Sequence, residues 1–157
     1  MPNVVVRMLA PYIAPAEAYR RISDFSSYVE LTDAVREVVV HPPEPDGRLV
    51  SEWTVRFRKG LLRWTERDRF DPEHRAIDFE QLTGDFVSFT GSWRVEPADG
   101  GSEVTFEAQF DLGIPTLAEL LDPVASSTLR ANVTLILRGL LGEVVPVEPR
   151  EPAGVLP

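Results

Sequence analysis

Six short stretches with the alternating pattern of β-strands follow one another along the middle of the chain, separated only by short turn signals. They cover residues 34–41, 48–58, 61–70, 75–83, 86–96 and 102–112. Each break contains glycine, or proline with aspartate, residues that turns use for a positive or preset φ angle. Parallel strands need crossover connections of about a dozen residues or more. The spacing therefore predicts a largely antiparallel meander.

Helical patterns flank this run of strands on both sides. The first ten residues are predicted to form one more strand, Pro15 opens a helical stretch over residues 16–25, and a short helical or irregular piece covers residues 26–31. After the last strand, an apolar stripe recurs at three- and four-residue spacing, which is typical of a helix that buries one face. The stripe consists of Leu129, Val133, Ile136 and Leu140.

Two capping signals mark the start of this last helix. Thr116 can cap a short turn that ends at Leu121, with Glu119 completing a capping box. Asp122-Pro123 then restarts the helix, which is expected to end near Gly142. The prediction is an α+β fold with a seven-stranded curved antiparallel sheet around a long C-terminal helix of residues 123–142, and two short helices after the first strand. A cavity is expected between sheet and helix.

Length and composition limit what the chain can do. Its 157 residues fit one domain, predicted over residues 1–145, with a proline-rich disordered tail at 146–157. The absence of cysteine excludes disulfides and thiolate chemistry, and two histidines cannot form a multi-histidine metal site. We therefore expect no metal. A net charge of −9 argues against nucleic-acid partners. With no signal peptide or membrane-spanning run, we expect a cytoplasmic monomer or homodimer.

Strand alternation selects the side chains that face the cavity. On residues 61–70 the odd positions carry Arg63, Arg67 and Arg69, so the even positions point inward. The same logic places Val87 inward on the strand at 86–96. The predicted ligand-binding residues on this inward face are Ser51, Trp53, Trp64, Gln81, Phe89, Trp93 and Phe106.

Two acids on the inward face are unexpected. Glu66 and Asp68 lie two residues apart on one strand, with Cα atoms about 6–7 Å apart. Burial raises the pKa of a carboxyl, and each acid makes ionisation of the other harder. A carboxylic acid with a raised pKa can act as a general acid or base near neutral pH. The alternative is that one or both lie at the cavity rim, solvated or paired with an arginine.

A polar residue also interrupts the apolar stripe of the long helix. Asn132 comes three residues after Leu129 and four before Ile136. A buried amide needs hydrogen-bond partners. Asn132 is expected to bind either a ligand carbonyl or hydroxyl, or a backbone group of the sheet. With Glu66 and Asp68 it forms the set of candidate catalytic residues.

Several stretches resemble the polyketide cyclase/dehydrase family of START-like, helix-grip (SRPBCC-type) domains, which includes aromatase/cyclases and coenzyme Q-binding proteins. The order and spacing of the stretches carry the resemblance over about residues 3–142. They are Leu62–Pro72, Phe79–Leu82, Gly91–Val95, Gly100–Phe106 and Arg130–Asn132. The resemblance implies an interior pocket for a hydrophobic small molecule such as a polyketide, quinone or lipid.

In aromatase/cyclases the pocket takes a poly-β-ketone tethered to an acyl carrier protein and directs aldol ring closure and dehydration, with no metal or organic cofactor. Trp64, Trp93 and Asn132 match pocket positions of that subgroup. Position 66 is often serine there and position 68 often arginine, whereas this chain has two acids. The departure removes a cation that could stabilise an enolate and introduces groups that can exchange protons.

Three functions are consistent with these features. The first is a cofactor-independent cyclase or dehydratase in which Glu66 and Asp68 exchange protons with a polyketide-like substrate. The second is a carrier or chaperone for a lipid, quinone or aromatic product. The third is docking of an acidic partner, such as an acyl carrier protein, on the exposed row of Arg63, Arg67 and Arg69.

Overall fold

An antiparallel sheet frames the structure, as the short connections between strands predict. The computed structural model describes residues 3–57, 60–112 and 118–147, except for the side chains of residues 118–123. The strands in this part of the chain are β1 Asn3–Ala10, β2 Val35–Val40, β3 Leu49–Phe57, β4 Gly60–Asp71, β5 Ala76–Gly84, β6 Ser88–Ala98, β7 Gly101–Asp111 and β8 Val145–Pro146. Their order in the sheet is β2-β3-β4-β5-β6-β7-β1-β8, and every pair is antiparallel.

Helices cover the inner face of this sheet. The described elements are α1 Pro15–Ser23, a 3-10 helix at Phe25–Ser27, α2 Tyr28–Leu31, a 3-10 helix at Pro72–His74, and α3 Ala118–Leu141. The predicted apolar stripe of α3 is buried, and it belongs to the same core as the inward side chains of the sheet. The switch from alternating to helical periodicity therefore marks a real change from sheet to helix.

The long helix is more continuous than the capping signals predict. It begins at Ala118 and runs without interruption through Asp122-Pro123, so no restart occurs there. Thr116, the predicted cap, lies outside the described residues. The predicted end is confirmed: Gly142 follows the helix with a positive φ of 81°, and its N–H bonds the carbonyl of Arg138. Glycine adopts this left-handed conformation without a steric penalty.

The sheet has eight described strands where seven were predicted. The additional strand is Val145–Pro146, which pairs with Met8 and Leu9 of β1. The N–H of Val147 also bonds the carbonyl of Arg7 at 3.0 Å. Pro146, assigned to a disordered tail from its composition, therefore belongs to the sheet, and Val147 bonds β1 next to it, while 148–157 lie outside the described residues. Proline fits here because an edge strand leaves one row of N–H groups unpaired.

The register between β3 and β4 brings the predicted inward residues together. Trp53 lies opposite Trp64, and Ser51 lies opposite Glu66. A bulge between β4 and β5 then shifts the pairing, because Thr65 pairs with Thr83 while Glu66 pairs with Gln81. A bulge of this kind reverses the alternation of the strand that carries the extra residue. Gly84, at the end of β5, consequently pairs with Trp64.

Gly84 is required where β5 crosses Trp64. Its φ angle is 151°, and an added Cβ would lie 2.5 Å from the Trp64 Cβ. We expect Gly84→Ala to lower the free energy of unfolding by about 3 kcal/mol, through backbone strain and overpacking together. Gly47→Ala is the matched control, because Gly47 also has a positive φ but no atom within 4 Å of the added Cβ.

Chemical denaturation of both variants measures the difference. The control is expected to lose only the backbone part, about 1 kcal/mol. Equal losses in the two variants would contradict the close approach of Gly84 to Trp64.

Candidate functional site

A small interior cavity lies between the sheet and α3. Its volume is about 50 Å³. The lining residues are mostly aromatic and aliphatic: Tyr28, Trp53, Val55, Trp64, Glu66, Phe79, Phe89, Trp93, Phe106, Leu129, Asn132, Val133 and Ile136. Ligand pockets for drug-sized molecules typically measure about 300–1,000 Å³. As it stands, the cavity has room for a few water molecules, and a larger ligand requires the wall to move.

Aromatic rings fill most of the space. All three tryptophans line the cavity, as strand alternation predicts. Trp53 and Trp64 stack across β3 and β4 with ring centroids 6.2 Å apart and planes 9° apart. Phe89 meets Trp64 edge to face at 5.3 Å, and Phe106 meets Trp93 at 4.7 Å. These contacts are the preferred geometries of aromatic pairs, so the rings form a wall suited to a flat apolar ligand.

Glu66 is the one ionisable carboxyl in this wall among the described residues, and it is 4% exposed. Its Oε1 accepts a 2.7 Å hydrogen bond from the indole N–H of Trp64. Asp68 is fully buried and does not line the cavity. The two acids are therefore not equivalent, because a ligand in the cavity would meet Glu66 and not Asp68.

Two consecutive hydrogen bonds link Asp68 to Ser51 and Ser51 to Trp53. The hydroxyl of Ser51 donates to Asp68 Oδ2 at 2.5 Å. Ser51 Oγ in turn accepts a 2.8 Å bond from the indole N–H of Trp53. Ser51 is fully buried and lies outside the cavity lining. Its observed partner is thus Asp68, whereas the sequence predicted a ligand contact.

Neither acid is paired with a cationic side chain among the described residues. No arginine or histidine side chain in the described part of the chain lies within ion-pair distance of Glu66 or Asp68. The alternative of a solvated or arginine-paired acid at the cavity rim is therefore wrong for the residues described. A buried carboxylate without a partner is costly, so the pair is expected to retain at least one proton.

The pKa values of the two acids agree with a retained proton. Burial raises the pKa of Glu66 well above its ordinary value, and the hydrogen bond and charge of Asp68 raise it further, against the lowering effect of Trp64. Burial also raises the pKa of Asp68, while hydrogen bonds from Glu66 and Ser51 oppose that increase. The interaction between the two acids thus raises the pKa of Glu66 and lowers that of Asp68, while burial raises both.

The surroundings of Asp68 Oδ1 are a second, geometric indication that the pair of acids retains a proton. It is a buried oxygen with no N–H or hydroxyl partner among the described residues. The neighbouring Glu66 carboxyl, which influences the pKa of Asp68, is a potential donor to this oxygen when it is protonated. A single proton on Glu66 directed at Asp68 would satisfy this oxygen and lower the charge of the pair.

Asn132 lies at the cavity on α3 but is already engaged with the sheet. It is half-buried, and its Nδ2 donates to the backbone carbonyl of Arg56 at 2.6 Å. Asn132 was expected to bind either a ligand group or a backbone group of the sheet, and the structure shows the bond to the backbone. The amide has a second N–H and an oxygen beyond this bond.

The side chain of Gln81 hydrogen-bonds the turn between β5 and β6 and does not line the cavity. Its amide donates to the carbonyl of Phe86 at 2.9 Å and accepts from the N–H of Phe86 at 3.3 Å. Phe86 is buried and stacks on Phe89 at 4.5 Å. Val87, predicted to point inward, is 66% exposed. The alternation fails here because β6 begins only at Ser88, so the preceding residues follow the turn.

Sequence reasoning missed Tyr28 and Phe79 at the cavity. Tyr28 is buried, donates to the carbonyl of Ile22 at 2.5 Å and packs edge to face on Trp53. Burial raises the pKa of its phenol, and Glu66 and Asp68 add to the increase. The inward parity of its strand identified Phe79, but not as a site residue. No comparable signal existed for Tyr28, because its short helix has no clear periodicity.

Metal and membrane features are not evident in the described residues. Within residues 3–57, 60–112 and 118–147, no group of three or more His, Cys, Asp or Glu side chains could hold a metal ion. In the same residues, no helix is long and apolar enough to span a membrane.

The combination of curved antiparallel sheet, long C-terminal helix and an apolar cavity between them defines the START-like, helix-grip class of proteins. A family model described as polyketide cyclase/dehydrase and lipid transport matches residues 13–135. The chain therefore belongs to that family, and the resemblance inferred from its motifs is confirmed. A comparison with curated protein sequences gives no match.

Solved structures share the fold over nearly the whole chain. TTHA0849 from Thermus thermophilus is 27% identical with a TM-score of 0.81, covering 88% of this chain and 94% of that one. The Zhui aromatase/cyclase from Streptomyces sp. R1128 is 21% identical with a TM-score of 0.70, covering 89% and 91%. A START superfamily protein from Mycobacterium smegmatis is 17% identical with a TM-score of 0.74, covering 90% and 97%. The last two similarities show the fold alone.

The buried Glu66 makes stability depend on pH. Because folding raises its pKa, the protonated form favours the folded state, and stability falls as pH rises above about 4.3 toward the folded-state pKa. The amide introduced by Glu66→Gln would mimic protonated glutamic acid and could still accept from Trp64. We expect the stability of Glu66→Gln relative to the parent to increase with pH, by up to about 1.4 kcal/mol per pH unit.

Urea denaturation between pH 4 and pH 9 tests this prediction. Glu107→Gln is the control, because Glu107 is exposed on the outer side of β7. A stability difference between Glu66→Gln and the parent that does not change with pH would contradict a protonated, buried Glu66.

Proposed function

We propose that this protein binds a hydrophobic polyketide or aromatic intermediate in the interior cavity and promotes its aldol cyclisation or dehydration by acid–base catalysis. The observation that carries the proposal is the position of Glu66. It is a buried carboxyl with a raised pKa in a wall that is otherwise almost entirely apolar. A carrier for apolar molecules has no evident need for such a group, because an unpaired buried acid costs stability.

Dehydration of a β-hydroxy ketone illustrates how Glu66 can act. Its carboxyl proton passes to the departing hydroxyl as the C–O bond breaks, and water leaves. The resulting carboxylate takes the proton from the adjacent carbon, whose C–H electrons form the new double bond. Glu66 is then protonated again, so one residue serves as acid and base. No electrons enter or leave the substrate, and the reaction needs no organic cofactor.

The neighbouring groups assist this proton exchange. Asp68, two residues further along β4, disfavours the ionised form of Glu66. Once Glu66 has given up its proton, it is therefore a stronger base. We assign the second N–H of Asn132 to the carbonyl oxygen of the ligand, because Asn132 lines the cavity from the opposite side, on α3. The tryptophan rings provide the flat surfaces on which the ligand would lie.

A substrate tethered to an acyl carrier protein would also require a docking surface. The outer side of β4 carries Arg63 and Arg69, both exposed, and Arg67, which pairs with Glu44 at 2.9 Å. Exposed arginines attract acidic partners and increase the rate of association. We assign the docking of such a carrier to Arg63 and Arg69.

Replacement of Glu66 by glutamine tests the acid–base role. We expect Glu66→Gln to lower turnover about 10²–10⁴-fold, because the amide cannot transfer the proton. Ligand affinity should remain close to that of the parent, because the amide preserves shape. Turnover is measured as product formation from a reactive poly-β-ketone model compound, with Glu107→Gln as the control. Unchanged turnover in Glu66→Gln would exclude the proton-transfer role.

A non-catalytic carrier of a lipid, quinone or aromatic product is the second candidate. It is favoured by the family description, which includes lipid transport, and by the apolar character of the remaining cavity wall. A carrier would tolerate loss of the acid, because removal of a buried charge does not weaken apolar contacts.

Tryptophan fluorescence separates binding from catalysis. A planar aromatic probe such as 2-methoxynaphthalene is expected to quench the emission saturably, because all three indoles line the cavity. Phe89→Ala should change the affinity, whereas Leu82→Ala, at a 40% exposed site outside the lining, should not. Equal effects of the two variants would place the probe elsewhere. Saturable binding in Glu66→Gln without any turnover in the parent would favour the carrier.

A further inference from the structure

Ser51 has one hydrogen-bonding arrangement available to it. Its Oγ accepts the indole N–H of Trp53 at 2.8 Å, and it lies 2.5 Å from Asp68 Oδ2. A serine hydroxyl has a single hydrogen to donate. Because the Trp53 indole can only donate, the Ser51 hydrogen is directed at Asp68. The hydroxyl is fully buried, so water does not compete for either bond.

In this arrangement the two acids have different hydrogen-bond donors. Asp68 accepts the hydroxyl of Ser51 on Oδ2, whereas its Oδ1 is buried and has no hydrogen-bond partner among the described residues. Oδ1 is therefore still available as an acceptor when the neighbouring Glu66 carboxyl carries a proton. Glu66, in contrast, accepts from Trp64 through one oxygen and faces the cavity. A carboxyl surrounded by donors prefers the ionised form.

We propose that Ser51, oriented by the Trp53 indole, is a positioning residue that holds Asp68 as the proton acceptor of the pair. It thereby keeps the transferable proton on Glu66, the carboxyl that lines the cavity. Ser51 acts through Asp68 and touches no substrate. The assignment deepens the proposed function, since it rests on Glu66 as the residue that exchanges protons with the ligand.

The surroundings of the pair contain few other titratable groups. From α2 the Tyr28 phenol faces both acids, and Asp24 acts on Tyr28 from the end of α1. On β5 the register partners of Glu66 and Asp68 are Gln81 and Phe79, and α3 contributes Asn132, all uncharged. The arginines of β4 alternate with the acids and lie on the other side of the strand. The hydrogen bonds of Ser51 are therefore the main local difference between the two carboxyls.

The test follows each carboxyl separately and needs no ligand. The side-chain carboxyl carbons of Glu and Asp are labelled with ¹³C, and their NMR shifts are recorded against pH in the parent, Ser51→Ala and Ser51→Thr. Repeating the titration in Glu66→Gln lets Asp68 titrate without a coupled partner. Ser92→Ala is the control, because Ser92 lies outside the cavity lining, on β6.

We expect Asp68 to ionise at a lower pH than Glu66 in the parent. In Ser51→Ala the ionisation of Asp68 should move upward by about one pH unit, a tenfold change in proton affinity, because a hydrogen bond to a charged group is lost. Ser51→Thr retains a hydroxyl and should restore the parent titration. Trp53→Phe should produce a smaller upward shift, because the hydroxyl remains but is free to rotate.

Two results would overturn the assignment. One is an Asp68 that keeps its proton at a pH where Glu66 has lost its own. The other is an unmoved Asp68 titration in folded Ser51→Ala. If Ser51→Ala fails to fold, the parent titration and Trp53→Phe decide the question. Because these titrations need no substrate, their outcome is independent of the turnover of Glu66→Gln, and failure of one proposal is distinguishable from failure of the other.

Discussion

The register between β3 and β4 is the constraint on which the rest of the site depends. It places Trp53 opposite Trp64 and Ser51 opposite Glu66, and the inward alternation of β4 adds Asp68. The stacked indoles, the two indole-to-oxygen bonds and the link from Ser51 to Asp68 all follow from this pairing. A slip of one residue would replace the acids in the core with arginines. Burial of the aromatic face and the exclusion of those arginines therefore specify the same register.

The acids are retained in the core at a cost to stability. Their carboxyls have no cationic partner among the described side chains, and burial raises the pKa of both. Apolar residues of similar size would be expected to stabilise such a core. Hydrogen bonds from two tryptophans, one of them through Ser51, reduce this cost without neutralising the charge. Since related folds host different functions, these polar groups give a better basis for a functional proposal than the START-like architecture does.

The size of the cavity places a separate demand on any ligand. About 50 Å³ remains between the rings, so an aromatic intermediate can enter only if side chains move. On the sheet side the wall consists mainly of stacked and edge-to-face rings, with Val55 as an aliphatic member. Phe86 adds a further ring behind Phe89, and the amide of Gln81 ties its backbone to β5. The ring contacts that resist movement thus also form the flat surfaces on which the proposed ligand would lie.

The sequence by itself determined the antiparallel sheet, the long final helix, the family and the inward face of β4, because short turns and periodicity are local properties. It also singled out Glu66 and Asp68 as acids on the inward face, since their neighbours on the other face are arginines, but left open whether they are buried or lie at the cavity rim. Only the tertiary structure decided that Glu66 lines the cavity while Asp68 lies behind it, that Ser51 bonds Asp68 and that Gln81 holds Phe86. It also added Tyr28 to the wall and residues 145–146 to the sheet. Parity along one strand states which side a residue faces, but its depth and partners depend on strands and helices that are distant in sequence.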